Sequence, residues 1–154
     1  MIRTDKRMGL CWLLLICNLA FIWGNSLLPA ELSQAFSDWV KTFLVGLATG
    51  EPSLGDGSGM LRKLAHFAEF TALGMVLSWL FGMLRKKKHW PLVCGVAAAC
   101  VDETIQLFVP DRGPGLKDVL LDSCGVLTGM MLLYLGHTIL SKKQHKCNRR
   151  NNTL

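Results

Sequence analysis

The chain has 154 residues, a formal net charge of +6 and a mean hydropathy of +0.33, with 51% of its residues hydrophobic. The apolar residues come in blocks of about 20, not in the one-face spacing of a soluble amphipathic helix or strand. Basic residues flank the blocks, which is the pattern of membrane spans and excludes nucleic-acid binding as the reason for the charge.

The first block, about residues 8–28, follows Arg3, Lys6 and Arg7. It is longer than the apolar core of a signal peptide, so the expectation is an uncleaved transmembrane helix. Between 31 and 48, Trp39, Val40, Phe43, Leu44 and Leu47 recur at helical spacing beside Glu31, Asp38 and Lys41, which predicts a short amphipathic helix at the membrane interface. Glu51 to Gly59 reads as a loop from its Gly, Pro and Ser content. The second span is expected over about 64–84 and stops at Arg85-Lys86-Lys87-Lys88. The third is expected over about 90–109, with Pro91 at a tolerated early position. Asp111 to Gly115 forms a tight turn, the fourth span covers about 116–140, and 141–154 is a basic tail. The fold class is therefore all-α: a single domain over 1–154, an integral membrane bundle of four transmembrane helices with an interfacial helix between the first two.

The six cysteines fit this plan. Cys11, Cys17, Cys94, Cys100 and Cys124 lie in apolar runs and Cys147 in the basic tail, with no CxxC pair. They read as small apolar filler, and neither a disulfide framework nor a zinc ribbon is implied.

Orientation follows from Lys and Arg. Twelve fall in the amino-terminal segment, the 85–88 loop and the tail, against five (Lys41, Arg62, Lys63, Arg112 and Lys117) on the other side. Both termini are thus expected in the cytoplasm of a multi-pass membrane protein. That orientation sends the polar residues of three spans to one layer, the extracytoplasmic third. Lys63, His66 and Glu69 open the second span, Asp102, Glu103 and Gln106 close the third, and Lys117, Asp118 and Asp122 open the fourth. Ionisable groups inside a span are expensive and usually face protein or water. Asp118, Asp122, Gly125 and Gly129 keep one face of the fourth span, and Gly125-x-x-x-Gly129 permits close helix packing. Ser26 is the hydroxyl to watch at the outer end of the first span.

Several readings of this cluster stay open. It can be a charge-paired scaffold that fixes helix geometry, although acidic groups outnumber Lys63, Arg112 and Lys117. It can bind a polar ligand. His66-x-x-Glu69 with Glu103, and Asp102 beside them, is a possible metal-ligand set, though no metal or other cofactor is predicted. Paired carboxylates can do acid–base work. Transport fits poorly, because the polar residues stop in the outer half.

The motifs Asn25-Ser-Leu-Leu-Pro29, Lys63-Leu-Ala-His-Phe-Ala-Glu-Phe70, Asp102-Glu-Thr-Ile-Gln-Leu-Phe-Val-Pro-Asp-Arg112 and Lys117-Asp118…Asp122…Gly125…Gly129 together resemble the VanZ-like membrane proteins. Two positions depart from the family pattern: Asp122 stands where Asn is frequent, and Asn25 where a serine is usual. The resemblance implies an envelope protein connected with resistance to glycopeptide antibiotics, teicoplanin above all. It implies site positions at Lys63, His66, Glu69, Asp102, Glu103, Gln106, Arg112 and Asp118, without a settled chemistry. Three functions follow as expectations. The first is a non-catalytic modulator whose outer site binds a lipid headgroup, a lipid-linked wall precursor or a partner. The second is an intramembrane enzyme on a lipid-linked substrate with Glu69, His66 and Glu103 as acid–base or metal groups. The third is a transporter. The bilayer is a partner in every case, nucleic acid in none, and an oligomer is possible.

Overall fold

A computed structural model describes residues 2–29, 35, 39, 42, 58–110 and 115–151; side chains are described for most of these, but not for 2–5, 58, 59, 61 or 143–151. The expected interfacial helix at 31–48, apart from three single residues, and most of the turn at 111–115 with Arg112 lie outside the described residues.

Four helices make up the described chain: α1 (Ile2–Ser26), α2 (Ser58–Met83), α3 (Trp90–Gln106) and α4 (Leu116–Asn151). Three contain stretches long and apolar enough to cross a membrane: Lys6–Ser26, Arg62–Met83 and Leu116–Lys142. α3 has 17 residues, about 25 Å at ~1.5 Å rise per residue, short of a hydrocarbon layer of ~30 Å. The reason lies at its end. The backbone tightens into three-residue turns, with Phe108 N–H bonding Ile105 O at 3.0 Å and Val109 N–H bonding Gln106 O at 3.2 Å, ahead of Pro110. Its start is set by Pro91, which loses no helical hydrogen bond in the first turn. α4 differs from expectation in the other direction: the basic tail continues the helix as far as Asn151.

The α2–α3 connection shows how charge and geometry share a boundary. Lys86 N–H reaches Phe81 O at 3.0 Å and Arg85 N–H reaches Gly82 O at 3.2 Å, which together close the helix in a Schellman motif. Arg85 takes the left-handed position, φ 52°, usually given to glycine. At the opposite end of the bundle, Gly115 O accepts from Asp118 N–H at 2.8 Å to start α4, and Asp118 sits in that first turn, where the helix dipole favours an anion.

The core forms where α2 meets α4, the most extensive helix pair. Phe70, Leu73, Leu77 and Leu80 of α2 are buried against Val126 of α4, Ala98 and Ala99 of α3, and Ile22 of α1. Glycines decide how close the helices come. A Cβ on Gly125 would lie 2.7 Å from Phe67 O, and one on Gly129 would collide with Thr71 O. Val126 sits between two more: a side chain on Gly74 would strike its backbone, and one on Gly95 would lie 2.6 Å from its Cγ1. These contacts extend the expected Gly125/Gly129 packing face to partners on α2 and α3. Outside the core, Leu13, Ile16, Phe21, Met131, Leu135 and Ile139 are exposed, an apolar exterior that suits lipid. The cysteines divide. Cys11 is buried filler as expected, whereas Cys17, Cys100 and Cys124 lie on the exposed apolar surface.

Candidate functional site

Four helix ends meet on the side of the bundle opposite the 84–89 connection: the end of α1, the start of α2, the end of α3 and the start of α4. Each contributes buried polar side chains. Ser26, Asp102, Gln106, Asp122 and Glu103 are 0%, 0%, 6%, 2% and 7% exposed, and His66 is buried beside them. A soluble core rarely takes this many polar side chains without partners, so their hydrogen bonds define the site.

Gln106 is the hinge of the first network. Its Nε2 donates to Asp102 Oδ2 at 2.9 Å, one helical turn below, and makes a longer contact of 3.4 Å with Ser26 Oγ on α1. The i,i+4 spacing of Asp102 and Gln106 puts both side chains on one face of α3, and there it becomes a bond. In the second network Asn25 Nδ2 donates to Glu69 Oε1 at 3.1 Å, and Glu69 Oε2 lies 3.5 Å from His66 Nδ1. The third contact is the turn before α4, where Gly115 N–H donates to Glu103 Oε2 at 2.9 Å and ties α3 to the next helix.

Charge pairing is thin by comparison. Lys63 Nζ is 3.7 Å from Asp118 Oδ1, with both side chains partly in the open, at 57% and 33% exposure. A pair of this kind contributes little. Lys117 is exposed, and Thr104 turns outward to bond Cys100 O at 2.7 Å. Between the networks lies a pocket of about 10 Å³, lined by Arg62, His66, Glu103, Gln106, Asp118 and Asp122 among others. That is room for about one water-sized occupant.

Among the described residues, the group with metal-ligand spacing is Asp102, Glu103 and Asp122, all buried, with one oxygen from each within 4.8 Å of the others. The set expected from the sequence is His66, Glu69 and Glu103 with Asp102 beside them, so the two sets share Asp102 and Glu103; His66 and Glu69 instead pair with each other, and Glu69 with Asn25.

Three participants escaped the sequence reading. Asn25 stood there only as a departure from a motif, yet it holds Glu69. Arg62 lines the pocket, and its position four residues before His66 is a signal that places both on one helix face. Gly115 acts through its backbone N–H, for which residue type carries no signal.

Helices of this length and apolar exterior define a membrane protein, here one with a buried polar cluster at one end of the bundle. The chain belongs to the VanZ/LLP1 family, whose family model matches residues 11–138. No curated protein and no solved structure matches it.

Proposed function

We propose that this protein is a bacterial plasma-membrane protein with four spans, both termini in the cytoplasm, and the polar site in the extracytoplasmic third. The site binds a lipid headgroup, a lipid-linked wall precursor or a partner protein, and through it the protein modulates glycopeptide susceptibility, teicoplanin above all, without catalysing a reaction. One observation carries the reading: buried polar side chains from four helices gather at one end of the bundle around a small pocket, while the opposite end is apolar inside. Structural polarity alone would be expected to leave its carboxylates paired, and here most are not. The basic residues supply the orientation, twelve against five. α3 serves as the third of the four spans because its helix and the turns to Pro110 together approach the bilayer thickness.

The test is growth inhibition by teicoplanin and vancomycin in a susceptible Gram-positive host. Wild type and Glu103→Gln are compared at matched membrane levels. Wild type raises the inhibitory concentration of teicoplanin, and the variant returns it to that of the empty host. Equal susceptibility with and without the wild-type protein rules the reading out.

A second reading is favoured by one contact. His66 and Glu69 form a histidine–carboxylate pair at 3.5 Å, with His66 on the pocket wall. Such a pair can exchange a proton with a bound substrate, which suits an intramembrane enzyme on a lipid-linked substrate with Glu103 opposite. Turnover of a labelled lipid-linked precursor by purified protein, lost in His66→Gln, separates this reading from binding alone.

A further inference from the structure

Asp102, Glu103 and Asp122 bring three carboxylates into one enclosed volume. Two oxygens there have no hydrogen-bond donor: Asp102 Oδ1 and Glu103 Oε1 are both shut off from solvent. Asp122, 2% exposed, accepts no hydrogen bond among the described residues, and it lines the pocket together with Glu103. Orphaned carboxylate oxygens in a native interior are rare and call for an occupant. Lys63 is taken by Asp118, and Arg62 on the pocket wall acts on Glu103 through its charge, but no Lys or Arg among the described residues makes an ion-pair contact with the trio.

We propose that Asp102, Glu103 and Asp122 bind one hard divalent cation, Ca²⁺ or Mg²⁺, with Asp102 closing the inner side and Glu103 and Asp122 facing the pocket.

The donor set is all oxygen and all carboxylate, which suits hard cations and disfavours soft ones. The spacing fits as well. Ligand oxygens on opposite sides of an ion are about 4.0–4.2 Å apart for Mg²⁺ and about 4.6–5.2 Å for Ca²⁺, and the three carboxylates present oxygens within 4.8 Å of one another. A water molecule in the pocket could bond the orphaned oxygens but would bring no charge to offset three carboxylates held this close. Two shared contacts already fix the ligands: Gln106 orients Asp102, and the Gly115 N–H orients Glu103, each leaving its other oxygen free. Hydrogen-bonded second partners of this kind are what hold ligating carboxylates in place. The remaining coordination positions open to the pocket, where His66 and Arg62 stand.

This inference deepens the envelope reading by giving its site a resident ion, and rests on that reading only for the ion's role in the cell. Binding is measured on purified protein and drug susceptibility in cells, so each can fail alone. The experiment uses the full chain in nanodiscs of zwitterionic lipid, which carry no anionic headgroups to hold cations. Radioactive Ca²⁺ is titrated directly, and Mg²⁺ is read by its displacement of Mn²⁺ in electron paramagnetic resonance. The expected result is saturable binding of about one ion per chain, with affinity about tenfold or more weaker in Asp122→Asn and in Glu103→Gln and within about twofold of wild type in Asp5→Asn, which lies at the far end of α1 from Ser26. Saturating ion also raises the thermal unfolding midpoint of the wild type. The absence of both saturable binding and this stabilisation in the wild type overturns the proposal, and needs no variant to fold. So does a loss in Asp5→Asn as large as in Asp122→Asn, which would put the ion away from the three carboxylates.

Discussion

The two halves of this bundle are held together by different physics. In the apolar half, α2, α3 and α4 meet by shape: Gly74, Gly95, Gly125 and Gly129 let backbones and Val126 approach to distances that any Cβ would prevent. In the polar half the same helices meet through side chains, Gln106 on Asp102, Asn25 on Glu69, and the Gly115 N–H on Glu103, and several carboxylate oxygens are left without donors. What the first half leaves unmet is neutral, such as the Ser78 hydroxyl. The second has unmet bonding capacity, and unmet capacity in a buried place is where function resides when natural proteins depart from full satisfaction. The apolar half thus supplies a rigid frame, and the polar half uses that frame to hold charges where water would otherwise separate them.

Substitutions in each half should therefore act in opposite directions. The largest effect is expected at Gly129→Leu, where the added side chain collides with Thr71 of α2. It should destabilise the α2–α4 pair by about 3 kcal/mol or more and broaden the gel-filtration peak in detergent, whereas Gly136→Leu, with open space around it, should leave both unchanged. If Gly129→Leu behaves like Gly136→Leu, the glycine-set helix approach is wrong.

Asp122→Asn should move the other way when divalent cations are removed by a chelator. Taking one charge from three crowded carboxylates should stabilise the protein by about 1 kcal/mol, read as a higher unfolding midpoint. A lower midpoint would mean that Asp122 is bound to a structural partner. The smallest effect belongs to Lys63→Ala. Its pair with Asp118 is long and half in the open, so stability should change by less than about 1 kcal/mol in a thermal scan.

How far the site could be read in advance depended on what each residue contributes. Glu69, Asp102, Glu103 and Asp122 were visible because a carboxylate inside an apolar run is conspicuous whatever its neighbours. Gln106 was visible by its spacing from Asp102. Asn25 was not, because a polar residue at the end of a span is ordinary until Glu69 is seen beside it. The metal-ligand grouping also shifted for a geometric reason. His66 and Glu69 are neighbours on one helix, and the sequence suggested them as partners to Glu103. Spatially, Asp122 of α4 joins Asp102 and Glu103 of α3 instead, where Gly95 lets Val126, one turn along α4 from Asp122, pack against α3.

Hydrophobic block lengths and the glycine and proline positions by themselves determined that this chain is helical, suited to a membrane and polar at one end. These are local or one-dimensional properties, set by the cost of placing polar groups in hydrocarbon and by backbone preferences within a few residues. Tertiary structure alone decided which carboxylates meet and which oxygens are left without donors. Those outcomes depend on how closely whole helices pack, and packing distance is set by pairs of residues far apart in the chain, such as Gly129 and Thr71, whose meeting no local pattern records.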